Sequence, residues 1–177
     1  MDTPRIGNGR TLASRKNLTN GRGLSILRVR DTAAEAGEAL RTWLAGFADC
    51  VRRQAFDEGR AYFHPKAYCF GSFAKACEGL DSLVEQQWKN IWPNITGFEF
   101  DMEGLRYNVS PDGRVVCAMV LWASVGYDEH DQPYTRNGRV TVVLTRTAEH
   151  GALRALHTHY SLVPGTPQTS RRPTRRA

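Results

Sequence analysis

Arg139-Val-Thr-Val-Val-Leu-Thr-Arg146, Thr147-Ala-Glu-His-Gly151 and Ala152-Leu-Arg-Ala-Leu-His-Thr-His-Tyr-Ser-Leu-Val163 follow one another and close on Pro164-Gly165. Two alternating, β-branched runs around a short Gly-containing connection predict a β-hairpin. Successive side chains of a strand point to opposite faces. Val140, Val142 and Leu144 therefore share one face with Leu156, Thr158, Tyr160 and Leu162 of the second run. Arg139, Thr141 and Val143 share the other with His157, His159 and Ser161. The result is a sheet with an apolar, aromatic face and a face carrying His, Thr and Ser.

Outward from this hairpin the chain holds more strands behind it and helices before it. Strands are expected over about 95–109, 114–125, 134–147 and 152–163, with Ser110-Pro-Asp-Gly113 as a tight turn. A brief strand is expected from Ala67 to Phe70. Leu40, Trp43, Leu44, Phe47 and Val51 recur at helical spacing. Thr32-Ala-Ala-Glu35 reads as the capping box that opens this helix, and the glycines before it interrupt helical patterning. A second helix is expected from Asp57 to Phe63, stopped by Pro65. A third, capped by Asp81 or Ser82, carries Val84, Trp88, Ile91 and Trp92 on one side and ends at Pro93. Helices leading and long strands following define an α+β domain, a curved, mostly antiparallel sheet wrapped around three N-terminal helices into a cone. The open end of such a cone is a natural small-molecule pocket.

The 177 residues, 41% of them apolar, suffice for one domain with tails. The net charge of +6 sits at the ends. Residues 1–30 contribute +6 and residues 164–177 contribute +4, which leaves the middle near −4. A basic nucleic-acid-binding surface on the folded part is therefore not expected. The division is a flexible basic arm over 1–31, a domain over 32–164 and a flexible basic tail over 165–177. Cys50, Cys69, Cys77 and Cys117 match no zinc spacing and form no Cys-x-x-Cys pair, so a reduced, cytoplasmic protein is expected. No apolar run approaches the roughly 20 residues of a membrane span. There is no phosphate loop, dinucleotide fingerprint or Ser-His-Asp order, so no cofactor is implied.

Four motifs, Phe63-His64-Pro65, Trp88-Lys-Asn-Ile-Trp92, Gly138-Arg-Val-Thr-Val-Val-Leu144 and Leu156-His-Thr-His-Tyr-Ser161, come in the order of a known family. Over about residues 33–164 the chain resembles the nuclear transport factor 2-like superfamily, in particular its SnoaL-like branch. It is also similar to the association (hub) domain of calcium/calmodulin-dependent protein kinase II. The resemblance implies the cone fold and a homodimer through the outer sheet face, with Arg139, His157, His159 and Ser161 at the interface. Ketosteroid isomerases of the superfamily need a carboxylate base and a tyrosine. Gly71 and Phe47 stand at those positions here, which argues against that mechanism. Hub domains hold small carboxylates on arginines, and the corresponding positions here are Trp122, Val142 and Tyr160. A small apolar or aromatic ligand is therefore expected, against Val84, Trp88, Trp92, Trp122, Val142 and Tyr160. If the domain is an enzyme, cyclase- or isomerase-like acid–base chemistry is implied, with Tyr68, Tyr160 and His64 as candidate proton donors. The rival reading is a non-catalytic assembly or regulatory domain. His157 and His159 form a His-x-His pair, but no third ligand stands beside them, so no metal site is expected.

Overall fold

The computed structural model describes residues 21–146 and 151–171, with side chains from residue 33 onward. The first helix, α1 (Gly21–Arg53), begins upstream of the expected Thr32 cap, so the capping-box reading is corrected. The hairpin turn at 147–150 and the outer ends of both tails lie outside the described residues. All five residues of the α1 apolar stripe, Leu40, Trp43, Leu44, Phe47 and Val51, are buried, as their spacing requires. The helix is tied to the sheet by Arg52, whose guanidinium donates to the Phe98 carbonyl at 2.9 Å. Gln54, in the left-handed region at φ 56°, breaks it from α2 (Phe56–Arg60).

The second helix is shorter than its pattern suggested, and Phe63 already begins β1 (Phe63–Phe70). The Tyr62 carbonyl accepts from the Trp43 indole at 2.9 Å and from the Ala155 amide at 2.9 Å, which draws the chain into the sheet. Pro65 is tolerated inside β1 because the pairing with the last strand shifts register between Phe63 and Tyr68. After β2 (Cys77–Glu78) a helical segment over 80–94 changes winding three times. It is α-helical at Leu80–Leu83, π-helical at Val84–Trp88, α-helical at Lys89–Ile91 and 3₁₀ at Trp92–Asn94. Gly79, not Asp81 or Ser82, stands at its N-cap; Asp81 instead pairs with Arg60. Val84, Trp88, Ile91 and Trp92 are all buried.

The remaining strands are β3 (Ile95–Phe100), β4 (Arg106–Val109), β5 (Val115–Tyr127), β6 (Pro133–Arg146) and β7 (Leu153–Leu162). The expected single strand over 95–109 is broken between Phe100 and Arg106, and both pieces pair with β5. The sheet order is β2-β1-β7-β6-β5-β3, antiparallel except for the parallel β1–β7 pair. One face is packed on the helices, with Val116, Ala118, Val120, Val140, Val142 and Leu144 buried in the shared core. Past β7 the described part of the tail, residues 165–171, is held by hydrogen bonds. Ser170 accepts from the Tyr127 amide at 2.8 Å and donates to the Asn94 carbonyl, and Tyr134 donates to the Thr169 carbonyl at 2.8 Å. Residues 165–171 of the expected flexible tail are therefore docked across the end of β5.

β6 and β7 pair as the hairpin reading required, with Val140 opposite Tyr160, Val142 opposite Thr158, Thr141 opposite His159 and Arg139 opposite Ser161. One strand residue departs from it. The register shifts between Val143 and Leu144, so that His157 faces Val143 but Ala155 faces Leu144. Leu156 is the extra residue of a β-bulge. Leu153 and Ala155, rather than Leu156, continue the buried face.

Candidate functional site

The inner sheet face, α1 and the 80–94 segment enclose a cavity of about 40 Å³. Its walls include Phe47, Phe63, Trp88, Trp92, Phe98, Trp122 and Tyr160. It is smaller than an open cone. Trp88 and Trp92 stack on each other at 4.5 Å, and Trp92 stacks on Phe56 at 5.1 Å. Phe47 and Phe63 pack against Trp88 at 5.7 and 5.3 Å. The indoles thus fill most of the interior they were expected to line. What remains holds a few waters, whereas cavities that take a benzene ring are on the order of 150 Å³.

Of the residues expected at a ligand, Trp88, Trp92, Trp122 and Tyr160 line this cavity. Val84 and Val142 are buried in the surrounding core and do not line it. Two candidate proton donors lie elsewhere. Tyr68 is 45% exposed, its ring edge-on to Phe70 on the outer side of the sheet. His64 lies in β1 and not at a helix terminus, and its Nδ1 accepts from the Lys66 amide at 3.1 Å. Neither lines the cavity. Tyr160 does, and its hydroxyl is sealed from solvent with no hydrogen-bond partner. Burial, with Cys69 nearby, pushes that phenol far above its ordinary range, so it stays protonated.

Pattern reading missed the most unusual member of the site. Arg136 on β6 is 1% exposed and lines the cavity. Its guanidinium lies 5.3 Å from the Trp122 ring centre, a cation–π contact. One amino group donates to Ser72 Oγ at 3.0 Å, while Nε has no partner. The strand around it is fixed by Ser124, which donates to the Arg136 carbonyl at 3.0 Å. Desolvation by burial lowers its pKa, opposed by Tyr134. Among the described residues no carboxylate pairs with it. The expectation that the basic pocket had become purely aromatic is therefore corrected: one cation remains, at a different register position.

A third orphan joins these two, the Trp122 indole N–H, buried without a partner. Trp122 and Tyr160 rings lie 6.0 Å apart, so the three unsatisfied donors belong to one neighbourhood. Ser72 is also poised there. Its oxygen receives Gln87 Nε2 at 3.2 Å as well as Arg136, which occupies both lone pairs and leaves its proton to give. Gln87 in turn accepts the Phe73 and Ala74 amides at 3.1 and 2.8 Å, fixing the loop after β1.

Gly71 and Phe47 both line the cavity, so their comparison with the isomerase positions concerns the right place. A Cβ on Gly71 would come within 2.0 Å of Gln87 Oε1, so the site has no room for a carboxylate side chain there as it stands. No lining residue is Asp, Glu or His.

The outer-face residues are also brought together. Arg139 donates to Ser161 Oγ at 3.1 Å, His157 Nδ1 bonds the Tyr68 carbonyl at 2.6 Å, and Phe70 lies edge-on to His157 and His159 at 5.4 and 5.3 Å. Because a carbonyl only accepts, the His157 Nδ1 carries the proton. Among the described residues no group of three His, Cys, Asp or Glu is placed to hold a metal, and no helix is long and apolar enough to cross a membrane.

A helix-backed, curved sheet enclosing an aromatic cavity is the architecture of the cystatin-like, nuclear transport factor 2-like folds. The family model described as SnoaL-like domain matches residues 40–165, and the chain belongs to that family. Among solved structures, a proposed scytalone dehydratase from Novosphingobium aromaticivorans is similar at TM-score 0.64 and 12% identity, over 84% of this chain and 99% of that one. A nuclear transport factor 2-like superfamily protein from Salmonella enterica is similar at TM-score 0.63 and 14% identity, over 76% and 96%. A proposed calcium/calmodulin-dependent protein kinase II association domain from Xanthomonas campestris is similar at TM-score 0.50 and 11% identity, over 72% and 84%. At such identities the likeness shows the fold. No curated protein matches the chain.

Proposed function

We propose that this SnoaL-like domain binds a small organic molecule in its interior cavity, between Trp122, Tyr160 and the Trp88–Trp92 stack. One observation carries the reading: buried donors of Trp122, Arg136 and Tyr160 stand unsatisfied around a mainly apolar hollow. Buried polar atoms are nearly always partnered, and an unmade bond costs about 1–3 kcal/mol each. A ligand that supplies acceptors recovers those bonds while burying apolar surface. The cavity size favours a molecule of few non-hydrogen atoms; a ring-sized ligand requires the aromatic walls to part.

The site resembles half of an acid–base centre. Arg136 and protonated Tyr160 can stabilise negative charge, as in the cyclase- or isomerase-like chemistry of the fold, but none of the lining side chains accepts a proton near neutral pH. Binding is thus better supported than catalysis. The test is a tryptophan-fluorescence titration against small neutral, aromatic and acidic compounds. Saturable quenching is expected in at least one class, and a flat response to all of them would favour a purely structural interior.

A second reading, compatible with the first, is assembly through the outer sheet face as a homodimer. It is favoured by Leu121, Met119, Val115 and Tyr68, large apolar side chains exposed on that face beside Arg139, His157, His159 and Ser161. His159→Glu places a charge in the middle of this patch and is expected to shift the protein toward monomer in sedimentation. A dimer that persists unchanged would remove this face from consideration. Four free cysteines, with Cys69 and Cys77 directly opposite each other on β1 and β2 yet unbonded, support a reducing compartment such as the cytoplasm.

A further inference from the structure

We infer that the loop 71–76 is the gate of the interior cavity and that Gln87 is the latch that holds it shut. The inference rests on the small-molecule reading above and specifies how a molecule larger than the closed hollow reaches it.

A cavity of about 40 Å³ admits a ring only if part of its wall moves, and the wall with least to lose moves first. The aromatic wall has much to lose. Trp88 is stacked on Trp92 and packed against Phe47 and Phe63, and all four rings are buried. The sheet wall is no easier, because β5, β6 and β7 pair along almost their whole lengths. The remaining wall is Phe70, Gly71 and Ser72, where β1 runs into the loop. Among the described residues that line the cavity, only Phe70, Gly71 and Tyr160 are less than fully buried, and the Tyr160 hydroxyl is sealed. The lining therefore meets solvent at the start of the loop.

The loop is lightly built. Phe73 is 48% exposed and Lys75 is exposed, whereas the buried members, Ser72 and Ala74, are small. Little apolar surface is lost to water when such a loop swings out. A backbone bond closes it on itself, from the Gly71 amide to the Ala74 carbonyl at 3.1 Å. Segments with few buried apolar contacts are the ones that open locally while the rest of a protein stays folded.

One side chain fastens it. Gln87 Oε1 accepts the Phe73 and Ala74 amides at 3.1 and 2.8 Å, and Gln87 Nε2 donates to Ser72 Oγ at 3.2 Å. The fit is close: a Cβ on Gly71 would fall 2.0 Å from that Oε1, so the side-chain amide lies against bare backbone. From the cavity side Arg136 donates to the same Ser72 hydroxyl at 3.0 Å. Inner wall, loop and helical segment are thereby joined through one hydroxyl and one amide. Gln87 also stands on unusual winding, the π-helical turn Val84–Trp88 with α-helical turns on both sides. π turns are rare, close their hydrogen bonds over five residues and are frequent at functional sites. A return to α winding turns one flank against the other and carries Gln87, inside the turn, off the loop.

Two readouts on the intact protein test the gate: native-state amide exchange at Phe73 and Ala74, and quenching of the tryptophans by acrylamide, a small neutral probe. In the parent those two amides are expected to exchange through a local opening that is insensitive to low urea, and faster than the paired amides of β5 and β6. Gln87→Leu, similar in volume, removes the latch bonds and is expected to speed them a further ten- to hundredfold, about the effect of one or two lost hydrogen bonds, and to raise acrylamide quenching. Ser170→Ala unties a different connection, between Asn94 and Tyr127, and is expected to leave both readouts at the parent values. The inference is overturned if Phe73 and Ala74 exchange only with global unfolding, if Gln87→Leu leaves quenching unchanged, or if Ser170→Ala raises it as much. The exchange pattern of the parent decides alone should Gln87→Leu not fold. If a compound saturates in the fluorescence screen and associates no faster with Gln87→Leu than with the parent, the gate falls and the binding reading stands. If no compound saturates with either protein, the binding reading falls, and exchange and quenching still decide whether the loop opens the hollow.

Discussion

Replacing Trp88 by alanine is expected to destabilise the domain by about 3–5 kcal/mol. Trp88 is 3% exposed and is the ring through which the helical and sheet layers meet. It stacks on Trp92 at 4.5 Å, meets Phe47 of α1 at 5.7 Å and Phe63 of β1 edge-on at 5.3 Å. Gly59 of α2 is shaped to the same pair: a Cβ there would come within 2.9 Å of Trp92 and 3.2 Å of Trp88. Three elements therefore lose contact at once, and the stacked, interlocked rings cannot collapse into the space without moving one another. The measurement is equilibrium urea unfolding, with the shift in midpoint read at constant slope. A loss below about 1 kcal/mol would mean that Trp88 serves a cavity rather than the core. The prediction separates Trp88 from Trp122, whose buried N–H is unpartnered and whose truncation should act mainly on ligand binding.

That division between core and site was only partly legible in the sequence. The α1 stripe and the hairpin pairing could be read because both rest on simple periods, 3.6 and 2, enforced by burial of one face. Tyr160 and Thr158 fall where alternation puts them, opposite Val140 and Val142. Leu156 does not, because a bulge adds one residue to β7 and no glycine marks the place. Pro65 reads as a helix stop, yet it stands in a strand whose register shift makes room for it. Thr32 reads as a cap, but a helix that continues through it, as α1 does, has no free amide there to satisfy.

Arg136 is the instructive miss. Residues 136, 138, 140, 142 and 144 share one face of β6, and the signal was therefore present in the alternation. Reading by hydrophobicity ends the inward face at Val140 because a buried, unpaired cation is a costly thing to assume. The rule that predicts cores well is the rule that discards functional charges. A position that alternation assigns inward and polarity assigns outward is better kept as a site candidate than resolved toward solvent.

The same register predicts the effect of Gly138→Ala, an expected loss of about 1–3 kcal/mol or more in stability. Gly138 pairs with Trp122 across β5 and β6, one inward position from Arg136. A Cβ at residue 138 would come within 2.0 Å of the Ser161 carbonyl oxygen and 2.7 Å of the Trp122 ring. The backbone of β7 cannot yield as a side-chain tip would, so either β7 shifts away from β6 or the indole moves. Movement of the indole separates it from the Arg136 guanidinium that it covers at 5.3 Å. Thermal unfolding of the variant beside the parent gives the readout. A variant that melts like the parent would show that the β6–β7 contact has slack.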